Sequence, residues 1–285
     1  MKFDYELAFS RNIGWLTKEE QFSLKNKTVG IAGLGGVGGA HLLTLVRLGI
    51  EKFHIADLDK FEVENFNRQM GANMKTIERE KVDVLAEMAL DINPNIQIKK
   101  FSQGINKSNM TEFLTGVDIY VDGLDFFCFE TRREVFKQCY KLAIPAITAG
   151  PIGMGSVLLN FLPGKMNFDD YFGIQTEKDV FEKSLLFGIG LTPKIKQAKY
   201  LIDKSQMDLK NKKGPSTIMA CNLCAGVAAT EVLKILLKRG KVYCAPHSFH
   251  TDAYFNKVFH SWIPWGYKNP LQRIRMLIAR RLLKI

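Results

Sequence analysis

The 285-residue chain is poor in cysteine, and several classes of protein fall away for want of what they need. Five cysteines are an odd number in no regular framework. That excludes a small disulfide-stapled fold and fits a reducing compartment. No window holds the roughly 18 unbroken apolar residues of a membrane-crossing helix. The first residues, Met-Lys-Phe-Asp-Tyr-Glu, bring an acid early and lack the apolar core of a secretion signal. These absences set the expectation of a cytoplasmic protein. There is also no internal repeat and no low-complexity tract, which removes solenoids and disordered arrays.

What is present is ordinary in amount: 46% hydrophobic and 24% charged residues. This length buries a large core, as one big α/β domain or two smaller ones. The formal net charge of +11 permits nucleic acid, anionic lipid or an anionic substrate, and does not choose among them. Arg273, Arg275, Arg280, Arg281 and Lys284 crowd the end of the sequence.

The chain is organised around Lys27-Thr-Val-Gly-Ile-Ala-Gly-Leu-Gly-Gly-Val-Gly-Gly39. It reads as a short buried strand, a glycine-rich turn and a helix start. Gly33, Gly35 and Gly38 match G-x-G-x-x-G, which brings a strand, a tight turn and a helix N-terminus onto a phosphate; Gly36 lies in the same turn. Chemistry asks for glycine here. The turn needs positive φ, a Cβ would hold the backbone off the phosphate, and the helix must pack close to its strand. The next apolar run, Lys52-Phe-His-Ile-Ala, ends in Asp57, where a ribose hydroxyl partner belongs. A nucleotide is expected at this turn.

Before this turn, Thr17-x-x-Glu20 is a capping box that starts a short helix. After Asp57, a polar loop leads to a helical pattern over 78–92, stopped by Asn93-Pro94. A strand over 96–101, a short helix over 110–115, a strand over 117–122, a helix over 130–141 and an apolar strand over 146–150 follow. This alternation predicts an α/β fold: a Rossmann-like, mostly parallel sheet with helices on both faces. Antiparallel strands from the C-terminal half extend it, at 156–161 and as a pair after Val242. Residues 162–215 are mixed and polar, and 218–237 reads as a long apolar helix. The predicted organisation is an N-terminal arm and short helix over 1–26, a nucleotide-binding domain over 27–262 and a basic amphipathic tail over 263–285.

Behind the glycine turn, Asp57-x-Asp59 and Asn65-x-x-Arg68-Gln69 resemble the ThiF/MoeB/HesA adenylyltransferases, relatives of the ubiquitin-activating enzymes. The resemblance runs on through Lys81, Asp122-Gly-Leu-Asp125, Phe129-Glu-Thr-Arg132, Ile144-Pro-Ala-Ile-Thr-Ala-Gly150 and Gly226-Val-Ala-Ala-Thr-Glu-Val-Leu-Lys234. It implies an enzyme that binds ATP and joins AMP to a carboxylate, releasing pyrophosphate. The acceptor would be the C-terminal glycine of a ubiquitin-like carrier protein, or a peptide or small acid. The resemblance assigns Asp57 to the ribose, Arg68 and Lys81 to triphosphate charge, and Asp125 to a Mg²⁺ bridging the phosphates. Asp59 is a second ribose or metal contact, or a turn former. Asn65 and Gln69 order the loop or touch phosphates. Arg11 resembles an arginine that the family inserts into a partner subunit's site, which implies a homodimer.

The sequence departs from the family in three places. Many relatives close a zinc site with two Cys-x-x-Cys pairs, whereas Cys221-x-x-Cys224 is the single pair here, inside an apolar helix, so no zinc is expected. Cys244-x-x-His247-x-x-His250 would not share one face of a strand. Cys128, within Phe-Phe-Cys-Phe, reads as a packing residue, and no thioester is expected. The stretch Phe126-Phe-Cys128 is longer than the usual Asp-Asn start of this segment, which bears on the local metal geometry. Three other readings compete. Zinc-free relatives include tRNA threonylcarbamoyladenosine dehydratases, which activate a carboxylate on tRNA. A Rossmann fingerprint alone suggests an NAD-dependent oxidoreductase, but no hydride-transfer constellation accompanies it. A non-catalytic adaptor would not keep the phosphate residues.

In the tail, Leu271, Ile274, Ile278, Leu282 and Ile285 fall in one arc of a helical wheel, between Arg275 and Arg281. Such an arc packs on the body of a protein or enters a membrane headgroup boundary. The tail is therefore expected to pack on the body, or to touch a partner, tRNA or, peripherally, a membrane.

Overall fold

The computed structural model describes residues 2–174, 178–209 and 211–283. The chain divides into two bodies, one of residues up to Leu124 with Ala225–Val242, the other of Asp125–Cys224 with Tyr243 onward.

The first body opens with α1 (Tyr5–Ala8) and α2 (Lys18–Lys25). The capping box forms as predicted: the Glu20 amide donates to the Thr17 hydroxyl at 3.1 Å, and the Thr17 amide donates to the Glu20 carboxylate at 2.9 Å. Then come β1 (Thr28–Ala32), α3 (Gly36–Arg47), β2 (Lys52–Ala56), α4 (Lys81–Ile92), β3 (Gln97–Phe101), α5 (Met110–Leu114) and β4 (Ile119–Asp122). The strands are parallel in the order β3-β2-β1-β4. β1 and β4 are buried almost throughout, as their unbroken apolar runs require, whereas β3 carries exposed lysines. The chain steps from β1 to β2 to β3 and returns to the far side of β1 as β4. That reversal is a topological switch point, and ligands of such sheets bind outside the carboxyl ends of the strands flanking it. α4 begins at Lys81, three residues later than predicted. Bridges Lys60–Glu80 and Phe61–Ile77 draw residues 77–80 onto the loop after β2, and Glu78 is left-handed at φ 65°.

The second body holds α6 (Phe129–Lys141), β5 (Ala146–Ile152), β6 (Gly155–Phe161), α7 (Phe168–Phe172) and α8 (Val180–Leu191). The long α9 (Ile218–Leu236) starts here and continues into the first body's segment. β7 (His247–Asp252), β8 (Lys257–Trp262) and α10 (Pro270–Leu283) complete it. Its strands run antiparallel in the order β5-β6-β7-β8, with β5 and β6 joined by a two-residue turn too short for a parallel crossover. Phe136, Phe161, Phe168, Phe172 and Phe187 form its aromatic core. The α/β class, with a parallel set first and an antiparallel set from the C-terminal half, is the one the sequence predicts.

By length and composition α9 is able to cross a membrane, at 19 residues. Asn222, Thr230, Glu231 and Lys234 interrupt it, and Ala220, Cys221, Cys224, Ala228 and Val232 are buried within the protein, the stripe of a core helix. α10 turns differently from the wheel reading. Gln272, Met276 and Ala279 are the buried side, with Met276 and Ala279 against Leu185 and Ile189 of α8. Two polar ties set that rotation: the Gln272 amide donates to the Ile189 carbonyl at 3.1 Å, and Arg280 pairs with Glu182 at 2.6 Å. Leu271, Ile274 and Ile278 therefore do not pack on the body. The side chain of Leu282, and Ile285 and Lys284, lie outside the described residues.

Candidate nucleotide site

Gly33 ends β1 in a left-handed conformation, φ 82°, and a Cβ there would overlap the carbonyl of Gly123, which follows β4. A Cβ on Gly38 would overlap the carbonyl of Gly33. The two glycine turns thus close on each other at the switch point, with α3 drawn against β1. Gly35 is the N-cap of α3, Gly36 its first residue, and no side chain caps it; its first turn carries no acid. The free amides of that end, with the helix dipole, favour an anion. Above Gly35 there is room: an added Cβ would meet only the Gln69 side chain, with Nε2 at 3.7 Å.

Asp57 follows β2 and is buried, 9% exposed. Its Oδ2 accepts from the Leu34 amide at 2.5 Å and its Oδ1 from the Asp59 amide at 2.8 Å. Burial pushes the Asp57 carboxyl above the usual carboxylate value, opposed by those two amides and by Lys81. Lys81, the first residue of α4, is 5% exposed and donates to Asp59 Oδ2 at 3.1 Å. Its amide donates to the Asp59 carbonyl at 3.0 Å. Asp59 is thus a turn residue and the partner of Lys81 at once. Asn65 is buried and orders the loop: its side chain accepts from the Glu62 amide at 3.1 Å, and its carbonyl accepts from the amides of Arg68 and Gln69. Gln69 is buried with Oε1 lacking any hydrogen-bond partner among the described residues. Arg68 lies on the same loop, donating to the Glu64 carbonyl and the Asn67 side chain at 3.1 and 2.9 Å.

The first body thus brings together the glycine turn, Asp57, Asp59, Lys81 and Gln69. Arg11, on a short 3₁₀ turn (Ser10–Asn12), is exposed and makes no hydrogen bond or ion pair among the described residues. Asp125 begins the second body, three residues beyond β4. It is exposed, and its Oδ1 accepts from the Phe127 amide at 2.9 Å. Among the described residues no group of three or more His, Cys, Asp or Glu is placed to hold a metal. A Mg²⁺ carried by phosphates needs only one or two protein carboxylates.

Sequence reasoning passed over two residues here. Gly123 matters through its backbone, and its neighbours in sequence gave no sign of the contact with Gly33. Arg132 is buried and holds the Asp125 loop from beneath: it donates to the carbonyls of Asp125 and Phe126 at 3.0 and 3.3 Å and lies over the Phe187 ring at 4.7 Å. Both residues stand in runs that carry the family resemblance, Asp122-Gly-Leu-Asp125 and Phe129-Glu-Thr-Arg132, where sequence reasoning assigned neither a role of its own. Cys128, expected as packing, is exposed at the N-cap of α6 because the rings of Phe126 and Phe129 turn inward on Phe187 instead. Cys221 and Cys224 are buried, and burial raises the Cys224 thiol to about 12. His247 and His250 point to opposite faces of β7: His250 is buried, while His247 meets His260 at 2.8 Å on the exposed side.

A hydroxyl donating to Asp57 meets a stronger acceptor when that carboxylate is ionised. Nucleotide affinity is therefore expected to fall on acidification, starting at a higher pH than an unshifted carboxylate, about 3.9, would allow. Binding should release a proton in that range. Calorimetry in buffers of different ionisation heat measures both, and in Asp57→Asn the affinity should be weak and flat with pH.

A parallel α/β body whose glycine turn, helix N-terminus and buried acid meet at a switch point is a Rossmann-like body. The model of the ThiF family matches residues 9–272, and the chain belongs to that family. It is 32% identical over 142 residues to a tRNA threonylcarbamoyladenosine dehydratase of Bacillus subtilis (strain 168), covering 50% of this chain and 55% of that protein. It is 30% identical over 143 residues to a sulfur carrier protein ThiS adenylyltransferase of Escherichia coli (strain K12), covering 50% and 56%. The chain thus spans about half the length of these curated relatives. Among solved structures, E. coli MccB with MccA superposes with a TM-score of 0.71 at 21% identity, over 95% of this chain and 75% of that one. PaaA superposes with a TM-score of 0.68 at 16% identity, over 92% and 74%.

Proposed function

We propose that this chain is an adenylyltransferase that activates a carboxylate with ATP. The observation that carries the reading is Asp57, hydrogen-bonded to the Leu34 amide of the glycine turn with Lys81 beside it. A carboxylate oxygen of the acceptor attacks the α-phosphorus, the bond to the β-phosphate oxygen breaks, and pyrophosphate leaves an acyl-adenylate. No protein nucleophile is needed; orientation and charge suffice. Asp57 accepts from the ribose hydroxyls, and the amides at the start of α3 face phosphate. Lys81 and Arg68 neutralise phosphate charge, and Gln69 brings its Nε2 donor beside Gly35. Asp125 would hold Mg²⁺, which when bound draws charge from the phosphate oxygens.

The acceptor is the C-terminal glycine of a ubiquitin-like carrier protein, or a peptide or small acid. A relative named for the sulfur carrier ThiS, and MccB solved with ATP and with MccA, support this reading. The second reading, a carboxylate on tRNA, rests on the dehydratase similarity and the net charge of +11. The exposed Arg11 completes a partner's site in a homodimer. The setting is the cytoplasm, in keeping with five cysteines in no regular framework.

The protein is expected to bind Mg-ATP and not NAD, because Arg68 and Lys81 serve a triphosphate. Calorimetry with both ligands tests this, and tight NAD binding without ATP binding would overturn it. Acceptor-dependent ATP–pyrophosphate exchange then separates the acceptors: stimulation by tRNA favours the second reading, stimulation by a carrier protein ending in Gly-Gly the first.

A further inference from the structure

α10 is amphipathic, yet it is docked by its less apolar side. Gln272, Met276 and Ala279 are buried, while Leu271, Ile274, Leu277 and Ile278 stand 51–61% exposed. Trp265, 69% exposed, precedes the helix. An exposed row of four large aliphatics is more than the scattered apolar residues of an ordinary surface. Cations flank it: Arg273 and Lys268 are exposed, and Arg275 is half-buried on the other border. The Gln272–Ile189 hydrogen bond and the Arg280–Glu182 pair fix this rotation, so the apolar face is presented outward without any release of the helix.

We infer that the outward face of α10 docks on an anionic lipid surface. The chemistry matches on both counts. Leu271, Ile274, Leu277 and Ile278 supply apolar area for the acyl boundary, and Arg273 and Lys268 meet anionic headgroups. Trp265 suits the depth of the headgroups, where an amphipathic ring is stable. A second copy of the chain is a poorer occupant. A two-fold contact sets the same patch against itself, bringing cationic borders together between molecules that each carry +11. RNA is poorer still, since it would use the cations and leave the aliphatics with nothing to cover them. The contact is independent of the nucleotide chemistry and tethers the protein without altering its site.

The test is flotation of the full chain with vesicles of phosphatidylcholine alone and of phosphatidylcholine mixed with phosphatidylglycerol. Binding is expected only to the mixed vesicles, weakening as salt is raised. Ile274→Glu/Ile278→Glu, on the exposed face, should lose about tenfold or more of that binding while its thermal unfolding and nucleotide binding are unchanged. Lys268→Glu/Arg273→Glu should lose binding and its salt dependence together. Equal binding to neutral vesicles, or undiminished binding of the double glutamate variant, overturns the inference. So does a dimer in sedimentation velocity, or a tRNA complex, that Ile274→Glu/Ile278→Glu dissolves while vesicle binding is absent.

Discussion

Asp125→Ala is expected to lower ATP–pyrophosphate exchange by about 10²–10³-fold, the scale of removing one preorganised electrostatic contact to the transferring group. The loss should be clean. Asp125 is exposed, and the substitution removes one hydrogen bond from the Phe127 amide, costing about 1 kcal/mol. The loop keeps its shape because Arg132 grips the carbonyls of Asp125 and Phe126, which alanine retains. Thermal unfolding should therefore move little while exchange collapses, and raised Mg²⁺ should restore part of it. Retained exchange would mean that another group meets the metal. A collapse of folding along with exchange would make Asp125 a structural turn residue instead.

The second large effect is expected from Gly38→Ala. The added methyl points into the Gly33 carbonyl, and Gly123 closes the same space from the β4 side. Neither obstacle is a side chain that swings away. Overpacking in rigid surroundings costs about 1–3 kcal/mol or more, and here relief comes only by moving α3 off β1. That shift would pull the helix amides out of register with the Leu34–Asp57 hydrogen bond. ATP binding should be lost, with a fall in melting temperature of several degrees. Gly226→Ala is the control: its Cβ would meet nothing within 4 Å inside a helix, so it should keep ATP binding and hold or raise the melting temperature. ATP binding by Gly38→Ala at the level of the parent chain would show that the turn is not where phosphate sits.

The parallel body was legible because β1, β2 and β4 are short apolar runs, β3 alternates, and α2 and α4 announce themselves by a cap or a stop. Gly33, Asp57 and Lys81 were legible as a set, since their order carries more information than any one of them. α8 was not. Val180-Phe-Glu-Lys-Ser-Leu-Leu-Phe-Gly-Ile-Gly-Leu191 is buried on nearly every side, so it lacks a polar face to reveal a helical period, and two glycines weaken it further. Lys183 on that helix looks solvated in sequence but is buried against Glu130. The wheel of α10 identified an apolar arc but left its direction open, because two polar contacts with α8, invisible to periodicity, decide which side faces inward. The Asp57–Leu34 bond and the orphaned Gln69 oxygen belong to the same class of information: they depend on which backbone atom a fold sets opposite a side chain.

The Lys81–Asp59 pair has a bearing on turnover. Before any nucleotide arrives, the buried Lys81 ammonium already has a counter-ion in Asp59. Under the proposed reaction a polyphosphate would displace the Asp59 carboxylate, which is more than half exposed and has water to turn to. Once pyrophosphate had departed, Asp59 would reclaim the lysine, and the leaving anion would not be held back by the full charge that met it.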